Sequence, residues 1–312
     1  SSLGIYFSMP VAPKFPWDLK RHNVDILHFH LPFPLGVISY LLTKPAGKVV
    51  VTWHSDIVKQ QKVLKFYKPV LMRFLQKTDR IITTSPNMIE NSPFLQPFKN
   101  KCEVIPLGVN INRFNLNDKI KNKVKDLKEK YNNEPILFFL GRLVYYKGVK
   151  YLIEAMKNIE AKLLIGGKGP LEEELKSLAN KYSLENKIEF LGFVKDEDLT
   201  AYYYASEMFI LPSIEKSEAF GIVQLEAQAC KRPVISTNLS TGVPYVNKDQ
   251  ETGIVVEPKS SKQLEEAINL LLNNKDLRQE YGNNAKKRVE KQFTIEKMGK
   301  KYLNLYKKLY KN

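Results

Sequence analysis

The segment SEAFGIVQLEAQA holds two carboxylates, Glu218 and Glu226, in the pattern E-x(7)-E, directly after a strand-like run ending in Leu211-Pro212-Ser213. Gly221 permits a tight backbone turn between them, and IVQLEAQA reads as a helix entering a core. Glu218 therefore sits in a strand-to-helix loop and Glu226 on the helix that follows. A carboxylate there can accept both hydroxyls of a ribose diol, as the acidic residue of a dinucleotide fold does. The backbone N–H groups from Ala219 to Ile222 suit a sugar or a phosphate. Two glutamates eight apart also arise by chance, one solvated at a helix start and one on the surface. The surroundings carry the argument.

FFLGRLVYYKG (Phe138–Gly148) reads as a buried strand, a glycine turn at Gly141, then Arg142 and Lys147 before the helical run VKYLIEAM. Two cations at a helix start beyond a strand make a diphosphate cradle, the arginine as a bidentate fork and the lysine as a point charge. Two exposed basic loop residues are the competing reading in a chain with 49 of them. IGGKGP (Ile165–Pro170) is a further glycine turn after a strand, but it lacks the P-loop spacing G-x-x-x-x-G-K-[ST], which favours a tight structural turn. In VVVTWHSD, His54 follows a strand, at the carboxyl edge where ligands bind in open α/β sheets. Asp56 suits the N-cap of IVKQQKVLKFY. In DILHFH, His28 and His30 alternate across a strand, His28 toward a packed core and His30 toward the cleft. No metal-ligand spacing is present, and no bound metal is expected.

These residues need elements to hold them. Short apolar runs alternate with helical patterns: Val24–Phe29, Lys48–Trp53, Arg80–Thr84 and Glu103–Ile105, then Ile136–Leu140, Ala161–Ile165, Ile188–Phe190, Met208–Leu211, Pro233–Ser236 and Gly253–Val256. Several are unbroken apolar runs, as strands buried on both faces should be. The pattern predicts two parallel-sheet α/β units. The boundary falls in 112–134, an Asn- and charge-rich stretch that reads as an exposed helical connector. The expected organisation is 1–112, 113–293, and a helix over 294–312.

With 312 residues and 43% hydrophobic content, the chain can bury a sizeable core in about two domains of roughly 150 residues each. Cys102 and Cys230 stand far apart, without a CxxC or a flanking histidine, which excludes a disulfide framework and fits free thiols in a reducing cytosol. The longest uncharged run, Ile26–Thr43, includes two histidines and two prolines and falls short of the roughly 20 apolar residues of a membrane span. The first ten residues do not resemble a signal peptide. The formal charge of +16 points to an anionic partner, although a general lysine bias gives the same balance. No nucleic-acid motif accompanies the charge, so nucleic acid is not an expected partner.

Taken together, these segments resemble the retaining nucleotide-sugar glycosyltransferases of family 4 (group 1), which have the two-lobed GT-B fold. VIPLGVNINRF, LGRLVYYKGVKYLIEAM, LLIGGKGPLEEEL, FILPSIEKSEAFGIVQLEAQA, KRPVISTNLSTGVPYV and ETGIVVEP carry the resemblance, which covers nearly all of 22–293. It implies that Arg142 and Lys147, beside Gly141, hold the donor diphosphate. Glu226 would hold the ribose, and Glu218 with the backbone at Phe220, Gly221, Ile222 and Val223 the donor sugar. The segment Gly192–Val194 would meet the base, and His54 would face the donor sugar across the cleft. Two departures stand out: the order His-Ser-Asp at 54–56, and Cys230 where the family usually places glycine.

The implied reaction moves a sugar from a nucleoside diphosphate sugar, GDP-mannose or a UDP-sugar, to a glycan or lipid-linked acceptor in polysaccharide or lipopolysaccharide assembly, with retention. No cofactor is expected beyond that donor substrate. Glu218→Ala or Lys147→Ala is expected to lose most transfer with the fold persisting. A sugar-nucleotide epimerase and a nucleotide-sugar-binding subunit without turnover stay open as alternatives.

Three expectations lie outside the site. Residues 57–77 carry six Lys or Arg and no acid, interleaved with Val63, Phe66, Tyr67, Leu71, Phe74 and Leu75. Such a helix could bring a cytoplasmic enzyme to the anionic inner face of the cell membrane. The stripe Tyr302, Tyr306 and Tyr310 suits docking of the last helix on the N-terminal unit. In the family a strand, a glycine-rich loop and further elements precede the DILHFH-like segment. Here that segment begins at Asp25, so an N-terminally incomplete acceptor lobe is expected, with nucleotide binding outlasting transfer.

Overall fold

The computed structural model describes residues 5–6, 9–10, 12–56 and 61–311, with side chains over 12–56 and 64–311. Two units divide the chain: Ser1–Pro106 with Met298–Asn312, and Leu107–Lys297. In the first, β1 (Ile5–Tyr6) and β2 (Met9–Pro10) pair antiparallel. β3 (Ile26–Leu31), β4 (Lys48–Trp53), β5 (Arg80–Thr83) and β6 (Cys102–Val104) form a parallel sheet in that order. The pairing of β3 starts two residues later than Val24, because Asp25 O accepts from Lys48 N and the register opens at Ile26 opposite Lys48.

The second unit holds β7 (Ile136–Leu140), β8 (Lys162–Gly166), β9 (Ile188–Gly192), β10 (Met208–Leu211), β11 (Val234–Thr237) and β12 (Gly253–Val256). All run parallel, in the order β12-β11-β10-β7-β8-β9. The unbroken apolar runs have a simple cause. Leu137 and Phe139, Leu163 and Ile165, and Met208 and Ile210 enter one core. Their alternates Ile136 and Phe138, Leu164, and Phe209 and Leu211 enter another on the opposite face. Helices cover both faces, so neither strand face is polar.

The chain passes from β9, at one edge, back across the sheet to β10, which lies beside β7. The loops after β7 and β10 therefore diverge in the course of the chain while their strands are neighbours. In open α/β sheets that is where a crevice forms outside the carboxyl ends of the strands.

Three expectations change on contact with the structure. The charged stretch before β7 is the helix Asp118–Lys130, capped by the Asn117 side chain on Ile120 N, and it belongs to the second unit. Ile120 is buried, and Val124 and Leu127 pack on the core, so its lysines are the outer face of a docked amphipathic helix. Next, the last helix, Ile295–Lys311, docks within the first unit through Leu305 and Leu309, which meet Val50, Ile82 and Ile105. Met298, Tyr302 and Tyr306 pack at the margin, whereas Tyr310 is 70% exposed. The working stripe is 298, 302, 305, 309, and tyrosines at strict i, i+4, i+8 drift off it.

The third change concerns the basic helix. Gln61–Lys77 is helical around Pro69, and Leu71, Phe74 and Leu75 are buried in the unit's own core. Phe66 alone among the described apolar side chains there stands well out, at 83% exposure. Residues 57–60 and the Val63 side chain lie outside the described residues. Asp56 Oδ1 accepts from Trp53 Nε1 (3.0 Å) and Ser92 Oγ (2.6 Å), tying the end of β4 to the chain near Ser92. Among the described residues no helix is long and apolar enough to cross a membrane.

Candidate active site

Lys147 leaves the loop after β7 and Glu218 the loop after β10, and they meet where the sheet changes direction. Lys147 Nζ lies 2.6 Å from Glu218 Oε2, with the two side chains only 11% and 10% exposed. The loops are fastened to each other by Ile214 N donating to Tyr146 O at 2.8 Å. Gly148, at φ +66°, makes this approach possible, since a Cβ there would stand 2.1 Å from Pro212 O. Ser213 Oγ also donates to Glu218 Oε2 (2.8 Å), and Thr241 Oγ1 holds the Glu218 carbonyl (2.8 Å). Every one of these bonds falls on Oε2 or the backbone. Among the described residues Oε1 has no protein partner.

Glu226 repeats the arrangement one helix further on. Its Oε2 accepts from the hydroxyl of the fully buried Tyr203 at 2.8 Å, and its Oε1 takes no protein donor among the described residues. Burial raises its carboxyl above the usual range, while the Tyr203 hydrogen bond and the nearby Arg113 guanidinium pull the other way. Arg113 in turn pairs with Asp196 at 2.8 Å. Each carboxylate is thus fixed by one oxygen, and the other has no protein hydrogen bond among the described residues.

Between them, Gly221 takes φ +69° and starts the helix Ile222–Ala229. The amides of Phe220, Gly221, Ile222 and Val223 take no backbone acceptor among the described residues, as the first turn of a helix requires. Phe220 is buried under this turn against Phe293, while Ile222 is exposed. Arg142 is exposed and has no protein partner among the described residues, so its guanidinium is available. Gly141 lies against the Lys147 side chain, and Val194 lies over Gly166 at the end of β8. IGGKGP is a tight structural turn: a Cβ on Gly167 would come within 1.9 Å of Gly141 O, and one on Gly169 within 2.3 Å of Leu143 O.

His54 belongs to the first unit, where His30 Nδ1 and His54 Nε2 are 2.9 Å apart with the rings stacked. His28 stacks on His30 and bonds Tyr306 Oη (2.6 Å) and Thr52 Oγ1 (2.7 Å). Burial, with the two neighbouring imidazoles, lowers His28 to about 4. Burial and His30 lower His54 in the same direction. His28 is therefore a bonded, half-buried residue rather than an inert core one.

The glycine position in the turn before β11 needs correcting. Cys230 has an ordinary φ of −85° and a buried thiol, and the left-handed residue is Lys231, at φ +58°. Ser213, Tyr203, Thr241 and Arg113 escaped the sequence reading. Ser213 carried a weak signal as the last residue of the LPS strand end, and the others carried none.

Residues 120–288 match the family model of glycosyl transferases group 1, more than half of the chain, and residues 1–113 match that of glycosyltransferase family 4. The chain is a group 1, family 4 glycosyltransferase. This glycosyltransferase is 36% identical over 300 residues to O-antigen chain mannosyltransferase C of Escherichia coli, covering 96% of this chain and 79% of that protein. It is 35% identical over 288 residues to the D-rhamnosyltransferase WbpZ of Pseudomonas aeruginosa, covering 92% and 74%. Sucrose-phosphate synthase from Thermosynechococcus elongatus superposes with a TM-score of 0.80 at 26% identity, over 96% of this chain and 78% of that one. The two parallel-sheet units are those of a GT-B glycosyltransferase. The enzyme transfers a hexosyl group.

Proposed function

We propose that the glycosyltransferase takes a hexosyl group from a nucleoside diphosphate sugar and delivers it, with retention, to a glycan or lipid-linked acceptor in surface polysaccharide assembly. The observation that carries this reading is the Lys147–Glu218 pair at the sheet's switch point, with the unpartnered Arg142 in the same β7 loop. Arg142 and Lys147 hold the diphosphate. Glu226 accepts the ribose hydroxyls through Oε1. Glu218 Oε1 and the amides of Phe220–Val223 hold the donor sugar, and Gly192–Val194 meets the base.

In the reaction the bond from the anomeric carbon to the β-phosphate oxygen breaks, and the acceptor oxygen bonds that carbon on the same face. The departing diphosphate takes the acceptor's proton. Charge grows on the leaving phosphate, where Lys147 and Arg142 stabilise it electrostatically. The mannosyl relative makes GDP-mannose the first donor to test, with UDP-sugars second. Thermal-shift measurements against a panel of nucleotide sugars check the site, since a bound donor stabilises the fold by mass action. Stabilisation by one base class, lost in Arg142→Ala, is expected; no stabilisation by any nucleotide sugar refutes the assignment.

We also propose that the outer face of Gln61–Lys77, with the exposed Phe66, Lys65 and Arg73, meets anionic lipid beside a lipid-linked acceptor.

A further inference from the structure

The candidate active site occupies the carboxyl ends of β7 and β10. The opposite, amino-terminal ends of β10 and β11 border a recess that the reaction leaves unused. Glu207 precedes β10, and Lys231 and Arg232 precede β11. With Lys275 and Arg278 from the helix Lys275–Gln292 they line an open cavity of about 380 Å³, all within the second unit. Four cations face one carboxylate.

That carboxylate is already committed. Arg278 Nε pairs with Glu207 Oε2 at 3.0 Å, and its Nη1 donates to the Leu271 and Leu272 carbonyls. Arg232 has no carboxylate partner. Its Nε donates to Cys230 O (3.1 Å) and its Nη1 to Ser206 O (2.9 Å), which fixes the guanidinium plane. Among the described residues the Nη2 of both arginines has no protein acceptor. Burial works against the charge on Arg232 and lowers its pKa, which is the condition an anion relieves. Lys231 is exposed at the rim in the left-handed region, where a glycine would sit without strain. Gln279 and Asn283 complete the wall.

We propose that this recess is a second anion site, taking a small phosphorylated ligand on the Nη2 groups of Arg232 and Arg278 with Lys231 and Lys275 as point charges. With Nε and Nη1 of both arginines committed to protein acceptors, each offers phosphate oxygens its Nη2 N–H groups, and the lysines add charge without geometry. The walls and the size of the cavity favour a small molecule over a polymer or a lipid surface.

Calorimetric titration of the full chain with inorganic pyrophosphate tests this. The wild type is expected to show two sites, one weakened in Arg142→Ala and the other at least tenfold weaker in the double variant Lys231→Gly/Lys275→Ala. Lys231→Gly also removes the left-handed strain, so the melting temperature of the double variant should not fall and misfolding cannot explain a lost site. The two failures are separable, because each variant removes its own site. An unchanged second site in the double variant overturns the proposal. Equal binding of sulfate, or tighter binding of anionic vesicles that the same variant abolishes, overturns it as well.

Discussion

At the residue scale, burial decides what a substitution at the site can report. The Lys147–Glu218 pair is nearly closed to solvent, so removing one partner strands a charge and costs about 3 kcal/mol of stability. Glu218→Ala and Lys147→Ala should therefore lower the urea midpoint as well as activity, with the fold persisting at reduced stability. Arg142 is exposed and unpartnered, and Arg142→Ala should leave stability within about 0.5 kcal/mol while lowering kcat/KM at least tenfold. A second prediction concerns His28. Its folded-state pKa, about 4, lies below the unfolded value of 6.5. The unfolded chain thus binds more protons between these values, and stability falls as pH drops from 6.5 toward 4. Urea unfolding at pH 7 and pH 4.5 checks this, and His28→Asn should flatten the slope. Of the candidate site, Glu218, Glu226, Arg142 and Lys147 were legible because charge beside a strand-to-helix glycine turn is a chemical pattern. Tyr203 and Thr241 were not: each lies 23 residues from the glutamate it holds, Tyr203 by the carboxylate and Thr241 by the backbone carbonyl, and only the crossovers bring them there.

At the element scale, apolar strands were legible because continuous burial leaves continuous hydrophobicity. β4, β7, β10 and β12 have the bounds read from sequence. Amphipathic helices were harder, because a sequence shows which residues are apolar but not which apolar face is docked. The last helix uses Leu305 and Leu309, which a tyrosine stripe obscured. Leu305→Ala should cost about 3 kcal/mol by leaving a cavity against Val50 and Ile82, measured by chemical unfolding. Tyr310→Ala, at an exposed position, should cost almost nothing. For Gln61–Lys77 the core has taken Leu71, Phe74 and Leu75, so the proposed membrane contact rests on Phe66 and the exposed basic residues. Phe66→Ser should reduce co-flotation with anionic vesicles severalfold and leave the weak signal with neutral ones unchanged. Equal flotation of variant and parent would count against that contact.

At the scale of the whole molecule, two parallel-sheet units were legible from the alternation of strands and helices. The strand order was not, since it depends on where the chain crosses back. That crossing, from β9 to β10, makes β7 and β10 neighbours and so makes Lys147 and Glu218 partners. At this junction, on the proposed function, a nucleoside diphosphate sugar is activated for retaining transfer. The most direct test of this is proton NMR of the product formed from an α-linked nucleotide sugar, GDP-mannose first, with nucleoside diphosphate release followed in parallel. The expected result is an α-linked product, released diphosphate in equal amount, and loss of both in Arg142→Ala. A β-linked product, or undiminished turnover in Arg142→Ala, would contradict it.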